Sequence, residues 1–307
     1  MLRHFRKRRW LVIPLALAAG LFVFLFMKWL EASNNGGQKP AEPFRIAGNL
    51  YYVGANDVTS FLITSPQGHI LIDGGYPGTP PLIMASIAKL GFNIRDVKVI
   101  LNSEPHFDHA GGLAELQKAS GAELWASEAS ADVIASGGAH DSSGTFLPYK
   151  ILVWVGILRY PAARVDHRFR DGATIRLGAT ALTAHITSGH TRGCTTWSFP
   201  VRDGDRELQV VSACSLTLLP GMSLAEPERY PGIRADFEHT FRVLRSLPAD
   251  IFVTAHAREF GRYRKFRERD KAKNPVDPFI DREGYLRYID AGEARFRKLL
   301  AEQQQRR

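Results

Sequence analysis

Between Asn102 and Gly112 the chain reads NSEPHFDHAGG, and His106, Asp108 and His109 there each carry a lone pair that a cation could accept. Crowding two imidazoles and a carboxylate into four residues costs desolvation and repulsion unless a positive ion satisfies them. The run follows an apolar segment, Val97–Leu101, that reads as a strand, and it precedes a helical pattern from about Gly111 through Leu116 towards Ala119. Open α/β sheets place their sites where strand ends meet helix starts. Gly111 and Gly112 would allow a tight turn into that helix. Two further histidines share the setting: His190, in SGHTRG, follows the strand pattern Leu182–Thr187, and His256, in VTAHA, follows Ile251–Thr254. Five side chains are thereby expected at one sheet edge. His4, His140, His167, His185 and His239 lack that context and read as structural or exposed.

The elements that must carry these residues can be read from apolar patterning. Leu50–Val53, Ser60–Ser65 and His69–Asp73 read as strands, the last two joined by the turn Pro66–Gln67–Gly68. A helix is predicted over Pro81–Leu90, a strand over Glu123–Ala126 and a short helix near Ala131–Ala135. Strand patterns then cover Ala173–Leu177, Leu182–Thr187, Thr195–Phe199 and Leu208–Ala213. Helices are predicted over Phe237–Leu247 and Leu286–Gln304. Strands mixed with helices in both halves imply a layered α/β fold. Residues 137–163 read as irregular but are rich in apolar and aromatic side chains (FLPYKILVWVGILRYP). Such a segment either walls a site or completes the core.

The formal net charge of the 307 residues is +9. It is unevenly spread: residues 1–43 carry a net +5 and residues 258–307 a net +6, so the body between is −2. A nearly neutral body with a basic tail is no nucleic-acid surface, and no nucleic-acid partner is expected. Arg3, Arg6, Lys7, Arg8 and Arg9 precede an uncharged apolar run from Trp10 to Met27. That is the pattern of a secretory signal or signal anchor, its basic end kept on the cytoplasmic side. Residues 1–32 are assigned to this segment, residues 33–43 (SNNGGQKPAEP) to a linker, and residues 44–307 to one domain. The two cysteines, Cys194 and Cys214, exclude a disulfide-built scaffold; two separate buried residues is the preferred reading, and a pair across neighbouring strands in an oxidising compartment is the alternative.

Taken together, SFLITSPQGHILIDGG, HFDHAGG and GHTRGCTTW resemble the metallo-β-lactamases, subclass B3 most, from about Tyr51 to the region of His256. The resemblance implies a four-layer αββα sandwich and two zinc ions per chain. His106 and His190 would hold the first ion, and Asp108, His109 and His256 the second. One position departs from the family's H-x-H-x-D-H motif: its first histidine is Glu104, giving E-x-H-x-D-H. A carboxylate binds Zn²⁺ as imidazole does, so Glu104 is expected as the third ligand of the first zinc. Its added charge would make that ion a poorer activator of water.

The implied reaction is zinc-dependent opening of a β-lactam ring by a metal-held hydroxide, with Asp108 both ligating and orienting the nucleophile. Ser215 and Thr217 fall where subclass B3 enzymes hold the substrate carboxylate; Arg192 is a weaker candidate. Lactone, thioester and phosphodiester hydrolases share the fold. Relatives of the glyoxalase and lactonase kind place a bridging Asp after the strand corresponding to Leu208–Ala213, whereas this chain has Cys214–Ser215. A tethered metal-binding protein without turnover is the reading of a different class. The expected location is the periplasm, with or without a tether to the inner membrane. The expected state is a monomer.

Overall fold

The computed structural model describes residues 38–141 and 147–306. The expected signal or anchor segment lies outside the described residues. Among the described residues, twelve strands form two sheets. The first contains, in spatial order, β1 (Phe44–Ala47), β2 (Leu50–Tyr52), β3 (Phe61–Ser65), β4 (Gly68–Ile72), β5 (Val97–Leu101), β6 (Glu123–Ser127) and β7 (His167–Phe169). The second runs β12 (Ile251–Thr254), β11 (Arg206–Ala213), β10 (Thr195–Asp203), β9 (Thr180–Ile186) and β8 (Thr174–Leu177).

Side chains alternate across a strand, and here both faces of the first sheet are covered. Phe61 and Ile63, Ile70 and Ile72, and Val99 and Leu101 join the core shared with the second sheet. Their neighbours Leu62, Leu71 and Ile100 point the other way. There they meet Ile83 and Ile87 of α1 (Pro80–Lys89), Leu113 and Leu116 of α3 (Leu113–Ser120), and Ala131 and Ile134 of α4 (Glu128–Ala135). The second sheet is covered by α6 (Ile233–Ser246) and α8 (Arg282–Gln305), whose Phe237, Phe241, Leu244, Tyr285, Ile289 and Phe296 belong to the larger core. The order is helices, sheet, sheet, helices: the αββα sandwich expected from the sequence. Among the described residues no helix is long and apolar enough to cross a membrane.

Several local readings change. The helix expected from Gly111 is α3, and a short helix the sequence did not suggest, α2 (Phe107–Ala110), precedes it. Gly111 and Gly112 have ordinary helical φ, −60° and −92°, and are needed for close approach rather than for turning. A Cβ on Gly111 would strike the Phe107 carbonyl, and one on Gly112 the Gly74 carbonyl. Strands β1 and β7 and helix α7 (Arg262–Arg269) are additions to the expected elements, and the segment read as irregular contains helix α5 (Leu147–Trp154). That segment serves partly as core, since Leu152, Leu158, Tyr160 and Ala163 are buried.

The cysteines take the less favoured of their two readings. Cys194 and Cys214 form a disulfide, with Cα atoms 5.8 Å apart. The cause is register: β10 and β11 pair antiparallel with Trp197 opposite Ser212, which brings the residue before β10 beside the residue after β11.

Candidate metal centre

Strand β5 ends at Leu101, and the chain turns sharply into the site. Buried Asp73, just past β4 and left-handed at φ 63°, fixes that turn. Its carboxylate accepts from Asn102 Nδ2 (3.1 Å), from the Ser103 amide (2.8 Å) and from the Ser103 hydroxyl. Burial is the main influence on Asp73 and pushes its carboxyl up to about 6. The next residue, Glu104, is fully buried. Its Oε2 lies 2.7 Å from His106 Nδ1 and 2.9 Å from His190 Nε2, and those two nitrogens are 3.2 Å apart. Asp108 and His109 sit on α2, with Asp108 Oδ2 3.3 Å from His109 Nε2 and 3.8 Å from His256 Nε2. Two groups of donor atoms result, Glu104–His106–His190 and Asp108–His109–His256, each with its atoms within 4.8 Å of one another. The groups adjoin, Glu104 Oε1 being 3.6 Å from His109 Nε2. Glu104, His106, Asp108 and His109 arrive from the first sheet, and His190 and His256 from the second.

The donor chemistry fits two cations. Carboxylate and imidazole suit zinc and similar divalent ions, and three protein ligands per ion leave positions open, as catalytic sites do. Glu104 Oε1 has no hydrogen-bond donor although fully buried, an arrangement an adjacent cation would relieve. The electrostatics agree. Burial disfavours charge on Glu104, yet His190 and His109 outweigh it and hold the carboxyl well below its usual range. Burial likewise opposes charge on His109, but Asp108 and Glu104 push its imidazole up to about 10. Without metal, His109 is therefore protonated near neutral pH, and ligation requires that proton to leave. Loading the metal-free protein at neutral pH is expected to release protons. Calorimetry in buffers of different ionisation enthalpy measures this; heats that do not vary with buffer would refute it.

The remaining sequence candidates divide. Ser215 is buried, and its hydroxyl accepts from the Thr217 amide (3.1 Å). The Thr217 residue is exposed, and its carbonyl has a role the sequence did not suggest: it accepts from His190 Nδ1 at 2.6 Å and so turns Nε2 towards Glu104. Arg192 lies over the Tyr230 ring, 4.9 Å from its centroid. His140 and His239 are exposed, His167 stacks on Trp125, and His185 bonds Ser198, as expected of residues outside the site.

Asp57 was missed. Its Oδ2 lies 3.3 Å from His256 Nδ1, its carbonyl accepts from the Ala257 amide (2.6 Å), and Arg258 donates to both carboxylate oxygens. Burial raises the Asp57 carboxyl, but His256 and Arg258 lower it further, so it is ionised. An ionised acceptor at Nδ1 fixes the His256 tautomer that leaves Nε2 free for a cation. Asp57→Asn is expected to weaken metal affinity of the second group by about 10- to 100-fold. Competition against a chromogenic chelator reads this, and unchanged affinity would remove Asp57 from the site.

Residues 53–256 match the family model described as metallo-beta-lactamase superfamily. Among solved structures, the native FEZ-1 metallo-β-lactamase of Legionella gormanii is 38% identical, with a TM-score of 0.81 over 87% of this chain and 98% of that one. BJP-1, a subclass B3 metallo-β-lactamase of Bradyrhizobium japonicum, is 33% identical, with a TM-score of 0.78 over 88% and 97%. A curated hydroxyacylglutathione hydrolase of Jannaschia sp. (strain CCS1) is 26% identical over 197 residues, 64% of this chain. The match spans 60% of that hydrolase's length.

Proposed function

The chain belongs to the metallo-β-lactamase superfamily, and we propose that within it the protein hydrolyses the amide of a β-lactam ring with two zinc ions. The observation carrying this reading is the residue just past β11. Cys214 stands there, tied to Cys194, so this position offers neither carboxylate nor thiolate to the two donor groups. Glyoxalase-like hydrolases differ at this point, and the likeness to FEZ-1 and BJP-1 over nearly their whole length supports the same reading.

Zinc, when bound, would supply Lewis acidity and bring the pKa of water towards neutrality. Glu104, His106 and His190 would hold one ion, and Asp108, His109 and His256 the other. Asp108 is ionised: burial opposes its charge, but His109 and His256 outweigh burial and keep its carboxyl far below its usual range. It is therefore an acceptor that orients the attacking water. Thr217 fixes His190 from behind and Asp57 does the same for His256. The exposed Thr217 residue and the Ser215 hydroxyl beside it are the proposed contacts for the substrate carboxylate.

Export is part of the proposal. It is supported by the basic start before the Trp10–Met27 run and by the disulfide, which persists in oxidising compartments. One experiment tests both statements: a chromogenic cephalosporin and an acyl-glutathione thioester are each assayed in separated periplasmic, membrane and cytosolic fractions, with and without chelator. Cephalosporin hydrolysis outside the cytosol that chelation abolishes is the expected result. Turnover of the thioester alone would install the glyoxalase-like reading, and turnover of neither would leave a metal-binding protein.

A further inference from the structure

Six large apolar residues are exposed among the described residues, and four of them, Ile151, Trp154, Val155 and Ile157, fall in one stretch from the end of α5. Trp154 is 83% exposed. The stretch is nevertheless held in place. Leu152 and Leu158 are buried beneath it, and the Val155 and Ile157 amides bond the Ile151 and Leu152 carbonyls, both at 2.8 Å. What stands above the surface is an ordered apolar ridge, with exposed Lys150 at one end and exposed Arg159 at the other. Contiguous exposed apolar surface marks a docking face. Tryptophan with aliphatic neighbours and flanking cations is the composition that settles at a membrane interface.

Two contacts place this ridge relative to the N-terminal run. Just beyond it, the Tyr160 hydroxyl donates to the Pro105 carbonyl at 2.6 Å, between Glu104 and His106, so the ridge rises from the rim of the metal centre. The described chain begins beside the neighbouring donor group: the Lys39 carbonyl accepts from the Asn56 amide (2.8 Å), next to Asp57, which faces His256. From Met27, where the uncharged run ends, the chain reaches Gln38 in a span of no more than about 40 Å even fully extended. A run inserted in a bilayer would therefore hold this rim close to that bilayer, at high effective concentration. A second copy is a poorer occupant. Two-fold self-packing repeats the same cations on both sides of the contact.

We propose that the ridge from Ile151 to Ile157 seats on the phospholipid surface that receives the Trp10–Met27 run, with Lys150 and Arg159 against anionic headgroups, so that the metal-centre rim faces the bilayer. The test uses the full-length chain in vesicles of phosphatidylcholine and phosphatidylglycerol in equal parts, with parallel vesicles of chain-brominated lipid, which quenches nearby tryptophan. Trp154 emission is taken as the difference between the parent and Trp154→Ala. Flotation reports membrane insertion separately, and no turnover is measured, so the lactamase reading stands or falls on its own. The expected result is that both proteins float, that Trp154 emission is blue-shifted and quenched by brominated lipid, and that Ile157→Asp abolishes the quenching while flotation persists. A floating chain whose Trp154 emission is unquenched overturns the proposal, as does a chain that fails to float. Trp154 shielded to the same degree in detergent, in step with a dimer seen by sedimentation, overturns it in favour of a second copy.

Discussion

Asp108→Ala is expected to lower cephalosporin turnover by at least about 100-fold, since even outer partners of metal ligands cost 10- to 100-fold when removed. Asp108 has two tasks. Its Oδ2 faces His109 and His256 in the second donor group, and its ionised carboxylate neutralises a histidine pushed up to about 10. Removing it takes one donor from the second group and leaves His109, 1% exposed, without its nearest acid. Metal content per chain should fall towards one ion, while circular dichroism keeps the αββα signature because the cores lie elsewhere. Asp108→Asn preserves the shape without the charge and should be nearly as inactive. An Asp108→Ala protein that retains two ions and parental turnover would dismiss the assigned chemistry.

Glu104 should produce the second large effect. It is fully buried, and one oxygen lies within 3 Å of a nitrogen on each of two histidines. Glu104→Ala takes away the anion around which the first group is gathered. It should cost about 10- to 100-fold in affinity for the first ion, the magnitude typical of disturbed metal sites, with turnover falling in step. Glu104→His keeps a donor but removes a negative charge. With less negative charge beside it, a cation held there would acidify bound water more, so the rise of turnover with pH should move to lower pH than in the parent. Metal titration and pH–rate profiles of the three proteins decide the matter. If Glu104→Ala binds two ions as tightly as the parent and turns over as fast, Glu104 is no ligand.

The gathering of the candidate ligands at one sheet edge was largely legible because each of their segments follows shortly after an apolar strand, and strand periodicity is a local signal. β4, β5 and β12 were readable in the same way. What escaped depends on distant partners. Asp57 is 199 residues from His256, and nothing around it in sequence marks it as a support. The disulfide hangs on the register of β10 against β11, which neither strand states alone. Helix α7, RYRKFRER, has no apolar stripe to detect. Its buried residues are Arg262 and Lys265, made tolerable by the Tyr52 ring 4.8 Å from the Arg262 guanidinium and by Asp281 3.0 Å from Lys265 Nζ. Strand β7, His167–Phe169, buries one residue of three and owes its existence to pairing with β6.

The division of each donor group between the two sheets has a consequence for chain topology. His106 and His190, 84 residues apart, meet at one point, and Asp108 and His256 meet at the neighbouring one. An ion held at either point closes a long covalent loop through coordinate bonds, as a cross-link does. Cross-links over loops of such length remove about 4–5 kcal/mol of freedom from the unfolded chain in the entropic account. The two loops also overlap, so that the chain from Asp108 to His190 belongs to both. A polypeptide whose one disulfide lies within the second sheet would become, once loaded, a doubly looped ring whose two sheets separate only by giving up metal. The atoms that would carry out the reaction are thus also the clasp of the fold.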